Sequence, residues 1–187
     1  MDVLYLSENQ QFVVPYLNEN YIVDCVNKTI CKEKDGSGPK IGAAILILHY
    51  LTFFQASAEV AHKWVSLKEI PNGGMLFYPA FHKDAIGGLI KAFGNQASLL
   101  LECAKPLGGQ PACFGDASAI FTVFPKIPLC VVIWEGDEEI AANATVLFDP
   151  SIAHFLHIES VIGLGGYLAN SLIKLASPDY CQGHDIW

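Results

Sequence analysis

Hydrophobic positions along the chain come in short blocks separated by polar breaks that contain Gly, Pro or Asn. Residues 12–16 (FVVPY) and 21–26 (YIVDCV) are two such blocks, joined by LNEN. Asn and Glu in the link suit a tight reversal, so the pair predicts a β-hairpin. A third short strand is expected at 29–31 (TIC), followed by a surface loop at 32–39 (KEKDGSGP). From Ile41 the period changes to that of a helix. Ile41, Ala44, Ile45, Leu48 and Leu51 fall on one stripe, and Ile47, Phe53 and Phe54 widen it nearly all round. A helix with that pattern is predicted to be central in the fold.

Residues 64–69 (WVSLKE) alternate, and Pro71-Asn72-Gly73-Gly74 turns the chain. Helical spacing follows at 81–93, with Ile86, Leu89, Ile90 and Phe93 aligned, and again at 97–107, ending at Gly108-Gly109. The strongest β signal covers 118–148. Ile120, Thr122 and Phe124 alternate with Phe121 and Val123, residues 125–128 (PKIP) break the run, and strands are expected at 129–134 and 144–148. Short links between successive strands predict an antiparallel meander. Residues 158–175 read as a closing helix, weakened in its middle by Gly163, Gly165 and Gly166. The fold class is α+β: an antiparallel sheet (N-terminal hairpin and C-terminal three-strand meander) packed with a central apolar helix and further helices. One domain is expected over 1–176, with an irregular tail over 177–187 (SPDYCQGHDIW).

Composition changes this picture in one respect. The chain is 52% hydrophobic and 16% charged, against about 25% charged for an average soluble domain. Few charges cover the surface, which raises the expectation of a protein partner or a homo-oligomer. Nineteen acids against eleven bases give a net charge of −8, and every base is Lys. With no Arg and no cationic cluster, the chain has no bidentate reader of phosphate or guanine, and nucleic acid is excluded as a partner. The apolar run 41–54 contains His49, Tyr50 and Thr52 and falls short of the ~20 residues of a membrane span. The start MDVLYLSENQQ lacks a basic n-region, so no signal peptide is read and a cytoplasmic location is expected. Six cysteines (25, 31, 103, 113, 130 and 181) form no C-x-x-C and no iron–sulfur spacing.

Candidate chemistry concentrates in acids and histidines. Residues 134–140 (WEGDEEI) hold four carboxylates. Two carboxylates ~5 Å apart repel by about 0.8 kcal/mol in water and roughly 3 at an effective dielectric of 20. An exposed turn is therefore one reading. A loop ordered by Asp137 bonding nearby amides is a second, and a hard-cation or acid–base cluster is a third. Asp116, at the entry to the β region, is expected beside this turn, and Asp149, at the exit of the third strand, at the opposite rim. Asp149-Pro150-Ser151 also reads as a helix start with Asp149 as its cap. His49 reads as a satisfied core or pocket histidine. His154, His157 and Glu159 have the spacing of one helical face but no open-site metal motif. Cys181, His184 and Asp185 are a further candidate set in the tail. No local signature marks a nucleophile.

Several segments together resemble a known family: LHYL (48–51), WVSLKE (64–69), Gly108-Gly109, Gly115-Asp116, Pro125 to Pro128, WEGDEE (134–139), LFD (147–149) and Phe155-Leu156-x-x-Glu159. The chain resembles the family catalogued as domain of unknown function 3786, of anaerobic bacteria and archaea. Some relatives carry an adjoining iron–sulfur module. The resemblance implies a setting in anaerobic redox or one-carbon metabolism, with an iron–sulfur or corrinoid protein as partner, and no established reaction. The cofactor is unknown. Three functions are weighed: a small-molecule or cofactor-binding accessory protein, a metal-assisted hydrolase or transferase using Asp116, Asp137 and Glu138, and a protein-interaction module. For the first, a pocket is expected where His49, Tyr50, Trp64, Glu69 and Phe81 approach Trp134 and Asp116, with Asp137 and Glu138 alongside.

Overall fold

A computed structural model describes residues 2–177. Four strands, β1 (Leu4–Leu6), β2 (Gln11–Tyr16), β3 (Glu19–Asp24) and β4 (Thr29–Lys32), make an antiparallel sheet in chain order. The expected hairpin is β2–β3, with a two-residue link, Leu17-Asn18, in which Leu17 has φ 53°. Asp24 closes β3. Its Oδ1 accepts from the amides of Val26 (2.9 Å) and Asn27 (2.7 Å), and its Oδ2 accepts from the Gln11 and Asn27 side chains.

The second sheet contains β5 (Val65–Ser66), β6 (Gln110–Ala112), β7 (Ala117–Phe124), β8 (Ile127–Trp134) and β9 (Asn143–Phe148), ordered β5-β9-β8-β7-β6 and antiparallel throughout. Strands β7, β8 and β9 are the expected meander. The Pro125-Lys126 break is a two-residue hairpin with Lys126 at φ 63°, so Pro128 sits inside β8 opposite Thr122. A register shift between Thr122 and Phe124 leaves Val123 out of the β8 ladder. The Val123 carbonyl instead accepts the Leu17 amide at 2.8 Å, which stitches the two sheets together.

Five α-helices lie among the described residues: α1 (Ile41–Phe53), α2 (Gly74–Phe81), α3 (Gly87–Phe93), α4 (Leu99–Ala104) and α5 (Ile158–Ala176). The expected 81–93 helix starts earlier, at Gly74, and carries Pro79. A wide π-turn, His82–Ile86, follows that proline and joins α2 to α3, with the Gly87 amide donating to His82. The stretch after α4 ends at Gly108 in the left-handed region, φ 75°, as the Gly pair implied. Helix α5 is unbroken despite its glycines. A Cβ at Gly165 would come within 3.0 Å of the Phe81 and Phe148 rings, so the missing side chain is what lets α5 lie close against them. One apolar cluster unites both sheets with the helices, including Tyr16, Phe93, Phe121, Leu129, Phe148 and Leu168.

The expectation that α1 is central is overturned. It lies at the surface along α5, burying Ala43, Leu46, Ile47 and Tyr50, while Ile41 is 82% exposed and Ile45 and Leu48 are also exposed. A helix apolar all round has no phase of its own, so tertiary hydrogen bonds from Tyr50 and His49 choose the buried face. None of the helices described is long and apolar enough to cross a membrane.

Candidate functional site

The residues expected to share one pocket lie in three separate places. Asp116, Trp134, Asp137 and Glu138 gather at the end of the sheet where β8 finishes. His49 and Tyr50 sit on α1, and Trp64 and Glu69 flank β5. Strand β8 has eight residues, so its span alone separates Trp134 from the Ile127 end, where Trp64 lies, by roughly 23 Å of extended chain. The single pocket therefore does not form.

The acidic turn does meet Asp116, as its place in the meander implied. The Glu135 amide donates to Asp116 Oδ2 at 2.8 Å, and the Asp116 amide donates to the Ile133 carbonyl at 2.9 Å. Gly115 makes this approach possible. It has φ 56°, and a Cβ there would lie 2.5 Å from the Ile133 oxygen. Glu135 accepts the Ala97 amide, which ties the turn to the start of the α4 region. Asp137 Oδ1 accepts from Ile140 (2.7 Å) and Glu139 (2.8 Å). Those amides, Ile140 first, hold its carboxyl below the ordinary carboxylate value. Glu138 and Glu139 are exposed. Of the three readings of this stretch, the geometry is that of an exposed turn ordered by Asp137.

Tyr50 and Glu69 have structural work. The Tyr50 hydroxyl donates to the Pro125 carbonyl. Glu69 Oε2 accepts the Ser66 amide at 2.9 Å and completes a capping box for the short 3₁₀ turn Leu67–Glu69. Phe81 is buried under α5. His157 is the N-cap residue of α5, with its ring edge-on to Phe53 at 4.2 Å. Among the described residues no three His, Cys, Asp or Glu side chains converge as a metal site, and no disulfide joins the cysteines there. Cys181, His184 and Asp185 lie outside the described residues.

Trp64 leads to a different constellation. It lines a cleft of about 360 Å³ on the outer face of the second sheet, together with His62, Ile120, Lys126, Pro128 and Asp149. One wall is the strap of residues 54–64 that connects α1 to β5. Two side chains fasten that strap. Lys126 Nζ donates to the carbonyls of Ala56 (3.1 Å) and Ala58 (3.0 Å) and pairs with Glu59 at 3.1 Å. Asp149, only 2% exposed, accepts the amides of Ala61 (3.0 Å) and Lys63 (3.1 Å) as well as Ser151 (3.0 Å). Burial pushes its carboxyl up, and the bonds from Ser151, Ala61 and Lys63 together outweigh that, leaving it below its ordinary value. Asp149 thus caps the turn Pro150–His154, as its sequence context implied, and also clamps a strap far from it in sequence.

The clamp has a visible result. The two amides flank His62, which has φ 55°, a left-handed conformation uncommon outside Gly and costing about 1–3 kcal/mol in a side-chain-bearing residue. His62, Lys126 and the clamping role of Asp149 were not found by sequence reasoning. Alternation and helical spacing say nothing about an irregular strap, and only Trp64 stood out from it.

The fold and its site define an α+β protein of two antiparallel sheets with an outward-facing cleft. A family model described as Domain of unknown function (DUF3786) matches residues 3–171. The chain belongs to this family. Comparison with curated proteins and comparison with solved structures each found no match.

Proposed function

We propose that the protein is a binding protein for a small planar molecule, held in the cleft between the strap and the outer face of the second sheet. The observation that supports this most is the clamp: a buried carboxylate takes the amides on both sides of His62 and fixes it in a strained conformation beside Trp64. Strain of this kind persists where surrounding structure over-determines it, and it clusters at ligand sites. The cleft volume of about 360 Å³ falls in the range of roughly 300–1,000 Å³ usual for small-molecule sites. Trp64 offers a flat face, Ile120 and Pro128 an apolar floor, and His62 a polar edge that can bond the ligand, while the three donors of Lys126 stay with the strap. The implied setting in anaerobic redox or one-carbon metabolism makes a heteroaromatic cofactor, or a fragment of one, the first class to test.

The test is native mass spectrometry and visible spectroscopy of protein purified without oxygen, followed by a thermal-shift screen of planar heteroaromatic carboxylates. Co-purified mass or a stabilising ligand that is lost in Trp64→Ala supports the reading. A ligand retained equally by Trp64→Ala, or no binding by the native protein in either assay, refutes it.

A further inference from the structure

Helices α1 and α5 run antiparallel where they touch: Leu46 faces Gly163, His49 faces Ser160 and Phe53 faces His157. Across this contact His49 Nδ1 lies 2.6 Å from Ser160 Oγ. When the hydroxyl donates to Nδ1, the ring proton resides on Nε2, and the pair has the arrangement of a nucleophile with its general base. Other serines nearby behave differently. Ser171 and Ser177 donate to carbonyls four residues back, Tyr167 and Ile173, which is a common use of a helical serine hydroxyl. Ser160 is turned to the imidazole.

The pair also opens on a space. His49 and Ser160 line a cleft of about 260 Å³ whose other walls include Ile45, Leu46, Tyr167 and Glu159. This is smaller than the roughly 300–1,000 Å³ of sites for drug-sized ligands, so it suits a short acyl group. Ser160 is the third residue of α5, a helix of 19 residues. The Val161 amide donates to the His157 carbonyl, so the amides of Ile158, Glu159 and Ser160 have no acceptor within the helix. The N-cap residue His157 makes no side-chain capping bond. Amides without helical acceptors beside a hydroxyl, at the positive end of a helix, are the donors that an oxyanion needs. The Glu159 carboxylate on the cleft disfavours anionic substrates.

From the dyad, the cleft and the helix end we infer that His49 and Ser160 form an acyl-transfer site for neutral esters with short apolar acyl groups. Ser160 Oγ attacks the ester carbonyl carbon as its proton passes to His49 Nδ1, and the carbonyl electron pair moves onto oxygen beside the α5 amides. Collapse expels the alcohol, which takes the proton from Nδ1 and leaves acyl-Ser160. Water then attacks the acyl carbon, gives its proton to Nδ1, and releases the carboxylic acid as that proton returns to Ser160 Oγ. No oxidant or reductant is consumed. The inference is independent of the Trp64 cleft, since neither His49 nor Ser160 lines it.

The test treats the full chain with p-nitrophenyl acetate and locates added acetyl groups by peptide mass spectrometry. Acetylation of Ser160 is expected, absent in Ser160→Ala and slowed roughly 100-fold or more in His49→Gln, the range that a general base supplies. Trp64→Ala should acetylate at the native rate, so loss of the planar ligand would leave this result intact. Acetylation that spares Ser160 in the native protein overturns the inference whether or not the variants fold. A folded His49→Gln protein that acetylates Ser160 at the native rate also overturns it.

Discussion

The Tyr50 hydroxyl donates to the Pro125 carbonyl 2.8 Å away, while its ring stacks on Phe124 with centroids 4.4 Å apart and planes 11° from parallel. A residue of α1 thereby holds the β7–β8 hairpin, whose Lys126 and Ile127 line the Trp64 cleft. Burial pushes the phenol well above its ordinary value, so it remains a donor across the physiological range. Tyr50→Phe keeps the stack and loses the bond. We expect a loss of about 1–2 kcal/mol, read as a lower denaturation midpoint at unchanged slope. An unchanged midpoint would show that water replaces the bond.

Asp149→Ala removes the clamp on the strap. The amides of Ala61 and Lys63 should lose hydrogen-exchange protection while those of β7 and β8 keep theirs, because the meander does not depend on Asp149. Protection lost evenly over the whole protein would instead mark Asp149 as a residue of global stability.

Asp24 is held at about 2 against an ordinary 3.8, first by the Asn27 amide and then by the Gln11 and Asn27 side chains. Its folded value is depressed, so its contribution to stability is fully present above the ordinary value and is lost as pH falls toward 2. A carboxyl titration followed by NMR should place its inflection near 2, and Asp24→Asn should flatten the acid side of the stability profile. An Asp24 inflection near the ordinary value would contradict these bonds.

Two adjacent glycines of α5 should respond in opposite directions. Gly166→Ala meets open space and should stabilise by about 0.5–1 kcal/mol through helix propensity. Gly165→Ala drives a methyl into Phe81 and Phe148 and should cost about 1–3 kcal/mol. Thermal denaturation of the two variants reads the difference directly. Similar shifts would mean that α5 is not held as closely as described.

On the acidic turn, Glu138→Ala should alter stability by no more than about 0.5 kcal/mol, since the side chain is exposed. Asp137→Ala should speed hydrogen exchange at Glu139 and Ile140, whose amides it accepts. A marked stability loss in the Glu138 variant would reveal a contact that the exposed geometry lacks.

The meander was legible because β9 alternates between faces along its length, β7 does so from Ala119 to Val123, and the links between strands are short. Helix α5 was legible because its spacing outweighs three glycines. Strands β1 and β6 were missed: each has three residues at a sheet edge, and the burial that writes a period into sequence is absent there. The face of α1 was misassigned because apolar residues on every side carry no orientation. The cleft was hidden for another reason. Asp149 and Ala61 are 88 residues apart, and nothing local to either says that one carboxylate will grip that strap. Trp64 was singled out as an aromatic wall, yet the residues placed around it belong to distant parts of the molecule.

The wide turn at 82–86 sets the angular phase of α3. Each residue of an α-helix advances about 100°, and a π-turn takes one residue more than an α-turn. Helix α3 is therefore rotated by about that angle from where a straight continuation of α2 would put it. Leu89 and Phe93, both fully buried, owe their inward direction to this extra residue. Substitutions between His82 and Ile86 keep that phase, whereas deleting one residue there would turn the apolar edge of α3 away from the core. In this stretch the count of residues carries more structural information than their identity.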